Sequence, residues 1–176
     1  MDNIKIWVQT HYKTIPESYQ IRLNGLIIAS CDLTVSEHDI DIDFAPGANI
    51  LEIELMSKSK ENYDTDLEQD TYLLVDEIAV NRMMLRTILN DHGAVYPDWL
   101  HETGMRDWFI KQQGSFPEKF EKSKFVNMKG TYRLEFATPL REFFDSYYDM
   151  PDYYKKYYNQ TLDDYKRLAE NLRHES

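Results

Sequence analysis

The feature that most constrains the fold is a two-residue alternation of apolar and polar side chains in the first half of the chain. Apolar residues occupy every second position in 4–8, 40–44 and 51–55, and most residues between them are polar or acidic. Successive side chains of a β-strand point to opposite faces of a sheet. The alternation therefore predicts strands with one buried face and one solvated face.

Turn signals separate these predicted strands. Asn24-Gly25 lies between the runs YQIRL and LIIAS, and an Asn-Gly pair in that position is a strong signal for a two-residue hairpin. The segment APGAN, residues 45–49, is a second turn before the strand that contains Leu51. Short strands separated by turns are typical of sandwiches. The sequence therefore predicts a mainly β protein, built as an antiparallel β-sandwich.

The strand predicted over 70–81, DTYLLVDEIAVN, is apolar on both faces. Strict alternation places Asp76 on the same face as Leu74, Ile78 and Val80. An unpaired buried carboxylate is costly, so we expect Asp76 to be satisfied inside the protein by a backbone amide, a tyrosine hydroxyl or a basic side chain. Its expected role is structural.

The regular alternation stops between about 86 and 124, a segment rich in aromatic residues, glycine and proline. Long irregular insertions of this kind are often functional, and short helical turns are predicted around 84–90 and 105–112. Alternation returns in GTYRLEF, 130–136. The predicted domain covers 1–145 and is followed by a helical tail over 146–176.

Charge and motif content exclude several classes of function. The net charge of −11 argues against nucleic-acid binding, and no apolar stretch is long enough for membrane insertion. The N-terminal MDNIKIWVQT has no signal-peptide pattern, so we expect synthesis in a cytoplasm. The five histidines form no H-x-x-x-H pair, and there is no G-x-S-x-G, P-loop or G-x-G-x-x-G motif. We expect a chain that is not an enzyme.

Two segments resemble a known family. GANILEIEL and DTYLLVDEIAVN are similar to the pattern of calcium-dependent, xylan-binding-type carbohydrate-binding modules, in which a G-x-N-x-L-x-I run precedes D-R-N-L-x-V-D-x-I-x-V-N-G. Asp70, Val75, Asp76 and Asn81 match the second pattern, while Arg82 stands where the family has its last glycine. The resemblance implies a jelly-roll-like sandwich. It also implies that the loop before the second segment, with the aspartate that opens it, contributes to calcium and sugar binding.

Calcium is therefore the one cofactor that the sequence leaves open. Calcium takes six to eight oxygen ligands, and the loop MSKSKENYDTDLEQD carries acids at alternating positions. The candidate metal ligands, with backbone carbonyls, are Asp64, Asp66, Glu68 and Asp70. Alternation also spreads these side chains along one side of an extended segment, so a loop without an ion is the other interpretation.

The segment NMKGTYRLEFATPLREFF resembles the N-x-x-G-T-W-x-L-x-F-x-S-P ending of uncharacterised proteins of marine tailed phages. This resemblance implies a structural or accessory role in a virion, as a tail, fibre, neck or capsid-decoration protein, with other virion proteins or further copies of the chain as partners. The expected location is the virion, after synthesis in the host cytoplasm. The tail would supply the interface, or would instead fold back on its own sandwich. Its candidate interface residues are Tyr153, Tyr154, Tyr157, Tyr158, Leu162, Tyr165, Leu168 and Leu172.

The alternative function is carbohydrate binding, to a host-surface glycan for example. Exposed aromatic rings stack on the apolar faces of sugars, and Tyr96, Trp99 and Trp108 in the insertion are the candidates. Large aromatic side chains also pack insertions onto a domain, so packing is the competing interpretation for these three. Carbohydrate binding and a virion role can coexist in an adhesin.

Overall fold

The computed structural model describes residues 2–58, 70–85, 89 and 92–140. Over these residues the chain is mainly β-structure, in two antiparallel sheets that form a sandwich, with one described helix, α1 (Thr103–Gln113). The predicted fold class, an antiparallel jelly-roll-like β-sandwich, is confirmed. The chain divides into two compact units, Met1–Ala137 and Thr138–Ser176, and the sandwich belongs to the first.

The first sheet has five described strands. They are β1 Asp2–His11, β4 Glu37–Ile42, β6 Tyr72–Val80, β7 Met83–Met84 and β10 Phe125–Val126. Their order in the sheet is β10-β6-β1-β4, and β7 pairs with β6. Strand β1 is central, since it pairs antiparallel with both β4 and β6. Both of its neighbours therefore place side chains beside those of β1.

The second sheet has six described strands: β2 Ser18–Leu23, β3 Leu26–Asp32, β5 Gly47–Leu55, β8 Ala94–Pro97, β9 Phe120–Glu121 and β11 Gly130–Thr138. Their order in the sheet is β3-β2-β5-β11-β8-β9. The hairpin between β2 and β3 turns at Asn24 and Gly25, both with positive φ, as a two-residue hairpin turn requires. The hairpin prediction is confirmed.

The core consists of the residues that alternation places on the inner faces of the strands. Those residues in β1, β2, β5 and β11 are all buried: Ile4, Ile6, Val8, Tyr19, Ile21, Leu23, Leu51, Ile53, Leu55, Tyr132, Leu134 and Phe136. The acidic residues between the apolar positions of β4 are exposed. The sequence period thus predicted both faces of these strands, because each has one dry side and one wet side.

The predicted place of Asp76 on the apolar face of Ile78 and Val80 is wrong, because β6 contains a β-bulge. Its pairing with β1 shifts between Trp7 and Val8, so that Glu77 lies opposite Trp7 while Val75 lies opposite Val8. The extra residue is Asp76, and it resets the alternation. Val75 and Ile78 are both buried, whereas Asp76 is only half-buried. The carboxylate therefore does not lie among the aliphatic residues of the core.

The insertion is more regular than its sequence predicts. It contributes β8 and β9 to the second sheet, and α1 confirms the helix predicted around 105–112. The helix predicted around 84–90 falls largely on residues that are not described, and the tail over 146–176 lies wholly outside the described residues. In the part of the chain that is described, no helix is long and apolar enough to cross a membrane.

Candidate functional site

The three aromatic residues predicted to bind sugar occupy different environments. Trp99 packs within the insertion: its ring contacts three phenylalanine rings at centroid distances of 5.5 to 6.3 Å, and its indole Nε1 donates to the Pro117 carbonyl at 2.7 Å. Trp108 is 52% exposed and contacts Phe109 edge-on. Tyr96 is half-buried in β8. Only Trp108 therefore presents a large free ring surface.

Of the predicted calcium ligands, only Asp70 lies among the described residues; Asp64, Asp66 and Glu68 do not. The Asp70 side chain is 4% exposed, and its Oδ1 accepts from the Lys58 ammonium at 2.6 Å and from the Thr71 backbone N–H at 3.0 Å. The Lys58 ammonium also donates to the Asn127 carbonyl at 2.6 Å. A cationic group of the chain itself thus binds the carboxylate that the resemblance assigns to calcium.

The surroundings of Asp70 do not fit a calcium ion. Calcium requires six to eight oxygen ligands, and a buried ammonium against the carboxylate would repel a second cation at the same place. Within the described residues, no group of three or more histidine, cysteine, aspartate or glutamate residues is arranged to hold a metal. The prediction for the loop acids at 64, 66 and 68 stays a prediction.

The residues predicted to form an assembly interface, Tyr153, Tyr154, Tyr157, Tyr158, Leu162, Tyr165, Leu168 and Leu172, lie outside the described residues. The phage-type segment is described in part. Within it, Gly130, Tyr132, Leu134 and Phe136 are all buried in β11, and a Cβ at position 130 would lie 2.7 Å from the Tyr96 carbonyl oxygen. These motif residues therefore specify a strand of the core.

A polar cleft lies on the outer face of the first sheet. It has a volume of about 600 Å³ and is lined by Asn3, Lys5, Asp39, Asp41, Asn81 and Arg82. Alternation brings these residues together: Asn3 and Lys5 face outward from β1, directly opposite Asp41 and Asp39 of β4. The turn after β6 closes the cleft on the other side. Its lining combines carboxylates, amides and cations.

Hydrogen bonds hold the side chains of the cleft in place. The Asn3 amide nitrogen donates to Asp39 at 2.7 Å and to Asp41 at 3.1 Å. The Asn81 side chain accepts from the Asn3 backbone N–H at 2.9 Å and donates to Asp2 at 2.8 Å. Side chains that are already oriented lose less entropy when they bind a ligand. The cleft is therefore a pre-organised polar surface.

The charges of the cleft are partly paired. The Lys5 ammonium lies 2.5 Å from Asp39, and the hydrogen bond between them raises the pKa of Lys5 and, with a further one from Asn3, lowers the pKa of Asp39. Both side chains are ionised at neutral pH. No ion pair of Arg82 is found among the described residues, so its guanidinium is available to a ligand.

Arg82 also adopts an unfavourable backbone conformation. Asn81 and Arg82 form the turn between β6 and β7, with φ of 51° and 67°. Asparagine tolerates this left-handed region, but arginine does so at a cost of about 1 kcal/mol relative to glycine. Strained residues of this kind cluster at functional sites, and here the strained residue lines the cleft.

Sequence reasoning missed this cleft. Asn3, Lys5 and Trp7 alternate with the buried residues of β1, and Trp7 is half-buried on the same outer face, between Glu37 of β4 and Glu77 of β6. A tryptophan on the polar face of a predicted strand was the available signal. The contacts of Lys58 with Asp70 and Asn127 had no comparable signal, because these residues are distant from Lys58 in sequence.

Comparison with known proteins gives distant likenesses. No protein-family model and no curated protein matches the chain. Among solved structures, the chain is similar to vCBM60 in complex with galactobiose, with 10% identity, a TM-score of 0.48, and 75% of this chain and 96% of that chain covered. The chain is also similar to a selenomethionine form of vCBM60, from a structure that describes circular permutation as an evolutionary link between two families of calcium-dependent carbohydrate-binding modules. Here the identity is 12%, the TM-score is 0.49, and the match covers 76% of this chain and 90% of that chain. Likenesses at this level assign neither a ligand nor a site to the chain.

Proposed function

We propose that this chain is a non-catalytic carbohydrate-binding module, whose ligand lies in the polar cleft on the outer face of the first sheet. The observation that carries the proposal is the pre-organised lining of carboxylates, amides and cations with Arg82 held at its edge in a strained conformation. The resemblance of 47–55 and 70–81 to carbohydrate-binding modules supports the same class of ligand.

Sugar hydroxyl groups suit the chemistry of this lining. Each hydroxyl both donates and accepts a hydrogen bond. Asp39 and Asp41 offer acceptors, while Arg82 offers several donors, so neighbouring hydroxyls of one ring could each find a partner. Hydrogen bonds to ionised groups are about twice as strong as those between neutral groups, which favours a polar ligand in an open cleft.

Trp7 gives the cleft an apolar neighbour. It lies two residues beyond Lys5 on the outer face of β1, which corresponds to about 7 Å along a strand. This spacing is comparable to the length of one sugar ring, so a chain in the cleft would extend its next ring over the indole. Trp108, exposed on α1, remains a separate candidate for stacking.

The alternative to a binding site is an ordinary solvated strand surface. That alternative explains the exposed acids of β4, but it does not explain why an arginine occupies the positive-φ position 82. A surface turn without a ligand would favour glycine at this position by about 1 kcal/mol. Retaining arginine at that cost is expected where its side chain contributes binding energy. The virion role stays a prediction that depends on the tail, and a module that binds a glycan is compatible with it.

Affinity electrophoresis through gels that contain neutral or acidic polysaccharides tests the proposal. We expect at least one polysaccharide to retard the native chain. Arg82→Gly should remove the guanidinium and relieve the backbone, so its melting temperature should rise while binding falls about 10- to 100-fold, the loss expected for a charge-assisted hydrogen bond.

Arg133→Gly is the matched control. Arg133 lies on the outer face of β11 and its guanidinium pairs with Glu135 at 2.7 Å. This control loses an arginine from the other sheet and should keep the native retardation. The proposal is refuted if no polysaccharide retards the native chain, or if Arg82→Gly and Asp41→Ala both bind as tightly as the native chain does.

A further inference from the structure

We infer that the Lys58 ammonium is a built-in cation that replaces a bound metal ion at Asp70, so that the chain closes this part of the sandwich without calcium. The inference does not depend on the proposed function, because it concerns what joins three segments of the fold. These are the residues after β5, the start of β6 and the segment before β11.

The contacts of Lys58 resemble those of an ion. Its side chain is fully buried, with an exposed fraction of 0%. Its ammonium binds a carboxylate oxygen of Asp70 and the backbone carbonyl of Asn127, each at 2.6 Å. Carboxylate and carbonyl oxygens are the donors with which proteins bind hard cations. One ammonium therefore bridges residues that are distant in sequence, as a structural ion would.

The charges around Lys58 favour a cation at this position. Burial lowers the pKa of the Lys58 ammonium, but Asp70, Glu102 and Glu17 all oppose that shift. Glu102 is itself buried, and its carboxylate accepts from the Lys129 backbone N–H at 2.7 Å. Three carboxylates thus act on one buried ammonium. Removing Lys58 would remove a positive charge on which all three carboxylates act.

The Lys58–Asp70 ion pair joins parts of the chain that would otherwise be held together less firmly. Lys58 and Asp70 flank the segment 59–69, so the ion pair joins the two ends of that segment. Asp70 also accepts from the Thr71 N–H at the start of β6, and its backbone carbonyl contacts the His11 ring at 2.7 Å. Removing the cation should therefore loosen the junction between β5, β6 and β11.

The test uses the full chain, with the melting temperature as the first measurement. The native chain should melt within about 1 °C of the same temperature in EDTA and in millimolar calcium, since no ion stabilises it through Asp70. Lys58→Ala should melt about 10 °C lower, because removing one partner of a buried ion pair is strongly destabilising. Lys129→Ala is the matched control, because it removes a lysine that lies 3.2 Å from Asp98 but is partly exposed. The melting temperature of this control should fall by much less than that of Lys58→Ala.

The decisive measurement is rescue by an external cation. Propylammonium should raise the melting temperature of Lys58→Ala but not that of Lys129→Ala, since the truncated site leaves space beside Asp70 for a small amine. Tetramethylammonium, which carries the charge but no N–H donor, should not. Rescue by calcium in Lys58→Ala alone would equally support the inference, since the exposed donors would then bind an ion that Lys58 normally replaces.

Three results would overturn the inference. One is a calcium-dependent melting temperature in the native chain that Asp70→Asn abolishes. Another is a native melting temperature in Lys58→Ala. The third is a destabilised Lys58→Ala that neither amine nor calcium rescues. If Lys58→Ala does not fold, the double variant Lys58→Met with Asp70→Asn decides: it should fold, because both charges are removed together, and its failure to fold would contradict the inference.

Discussion

Two buried tyrosines should respond in opposite directions to the loss of their hydroxyl groups. Tyr19 and Tyr132 are both fully buried, and burial raises the pKa of each phenol. The Tyr19 hydroxyl donates to the Val35 carbonyl at 2.7 Å and lies 2.6 Å from Nε2 of His38. The Tyr132 hydroxyl has no hydrogen-bond partner among the described residues.

The magnitudes follow from what each substitution leaves behind. Tyr19→Phe leaves the buried Val35 carbonyl without its donor and removes the contact with the His38 ring nitrogen, which should cost about 1 to 3 kcal/mol. Tyr132→Phe removes a buried hydroxyl that is unsatisfied in the described structure, and this should gain about 1 kcal/mol after a small packing loss. The hydroxyl lies close to Gly93, where an added Cβ would be 2.6 Å from it.

Urea denaturation of the native chain and the two variants measures these free energies of unfolding. Equal slopes against urea concentration would show that the surface exposed on unfolding is unchanged, so that midpoints can be compared directly. We expect the midpoint of Tyr132→Phe to lie above that of the native chain and the midpoint of Tyr19→Phe to lie below it. A Tyr132→Phe variant less stable than the native chain by about 1 kcal/mol would refute the reasoning, since that loss is typical of a satisfied hydrogen bond.

Two further predictions concern the insertion and the response to pH. Trp99→Ala should lower the stability by about 3 to 5 kcal/mol, because Trp99 packs against three aromatic rings, whereas the exposed Trp108→Ala should change it by less than about 1 kcal/mol; equal losses in urea denaturation would contradict this. Burial lowers the pKa of His38 from its ordinary value of 6.5, so the unfolded chain binds a proton before the folded chain does, and stability should fall as the pH drops below that value. His38→Gln should weaken this dependence between about pH 7 and pH 5, and an unchanged slope would rule out His38 as its source.

The sequence was sufficient to predict the fold class because most strands of the sandwich have one dry side and one wet side. In β1, β5 and β11, the alternation of apolar and polar residues predicted correctly which side chains are buried. It failed in β6, where the bulge at Asp76 adds one residue and exchanges the faces. A bulge depends on how a strand pairs with its neighbour, so the residues of the strand alone do not specify it.

The candidate site was harder to predict than the fold. The cleft depends on β1 pairing with β4, which places Asn3 beside Asp41 although they are far apart in sequence. Pattern reasoning instead favoured the aromatic insertion, where Trp99 packs and Trp108 remains exposed. The resemblance located Asp70, but the cation beside it is Lys58, which no motif marks.

Arg82 and Lys58 illustrate two ways in which the chain departs from the pattern that it resembles. At Arg82 a side chain replaces the glycine that the backbone conformation favours, which adds a cationic donor at the edge of the cleft. At Lys58 an ammonium binds the carboxylate that the pattern associates with a metal. If both inferences hold, glycan binding by this chain should persist in EDTA and fall about 10- to 100-fold in Arg82→Gly. Suppose that EDTA abolishes glycan binding by the native chain while propylammonium still raises the melting temperature of Lys58→Ala. That pair of results would separate the two inferences, because an ion would then contribute to glycan binding at a place other than Asp70.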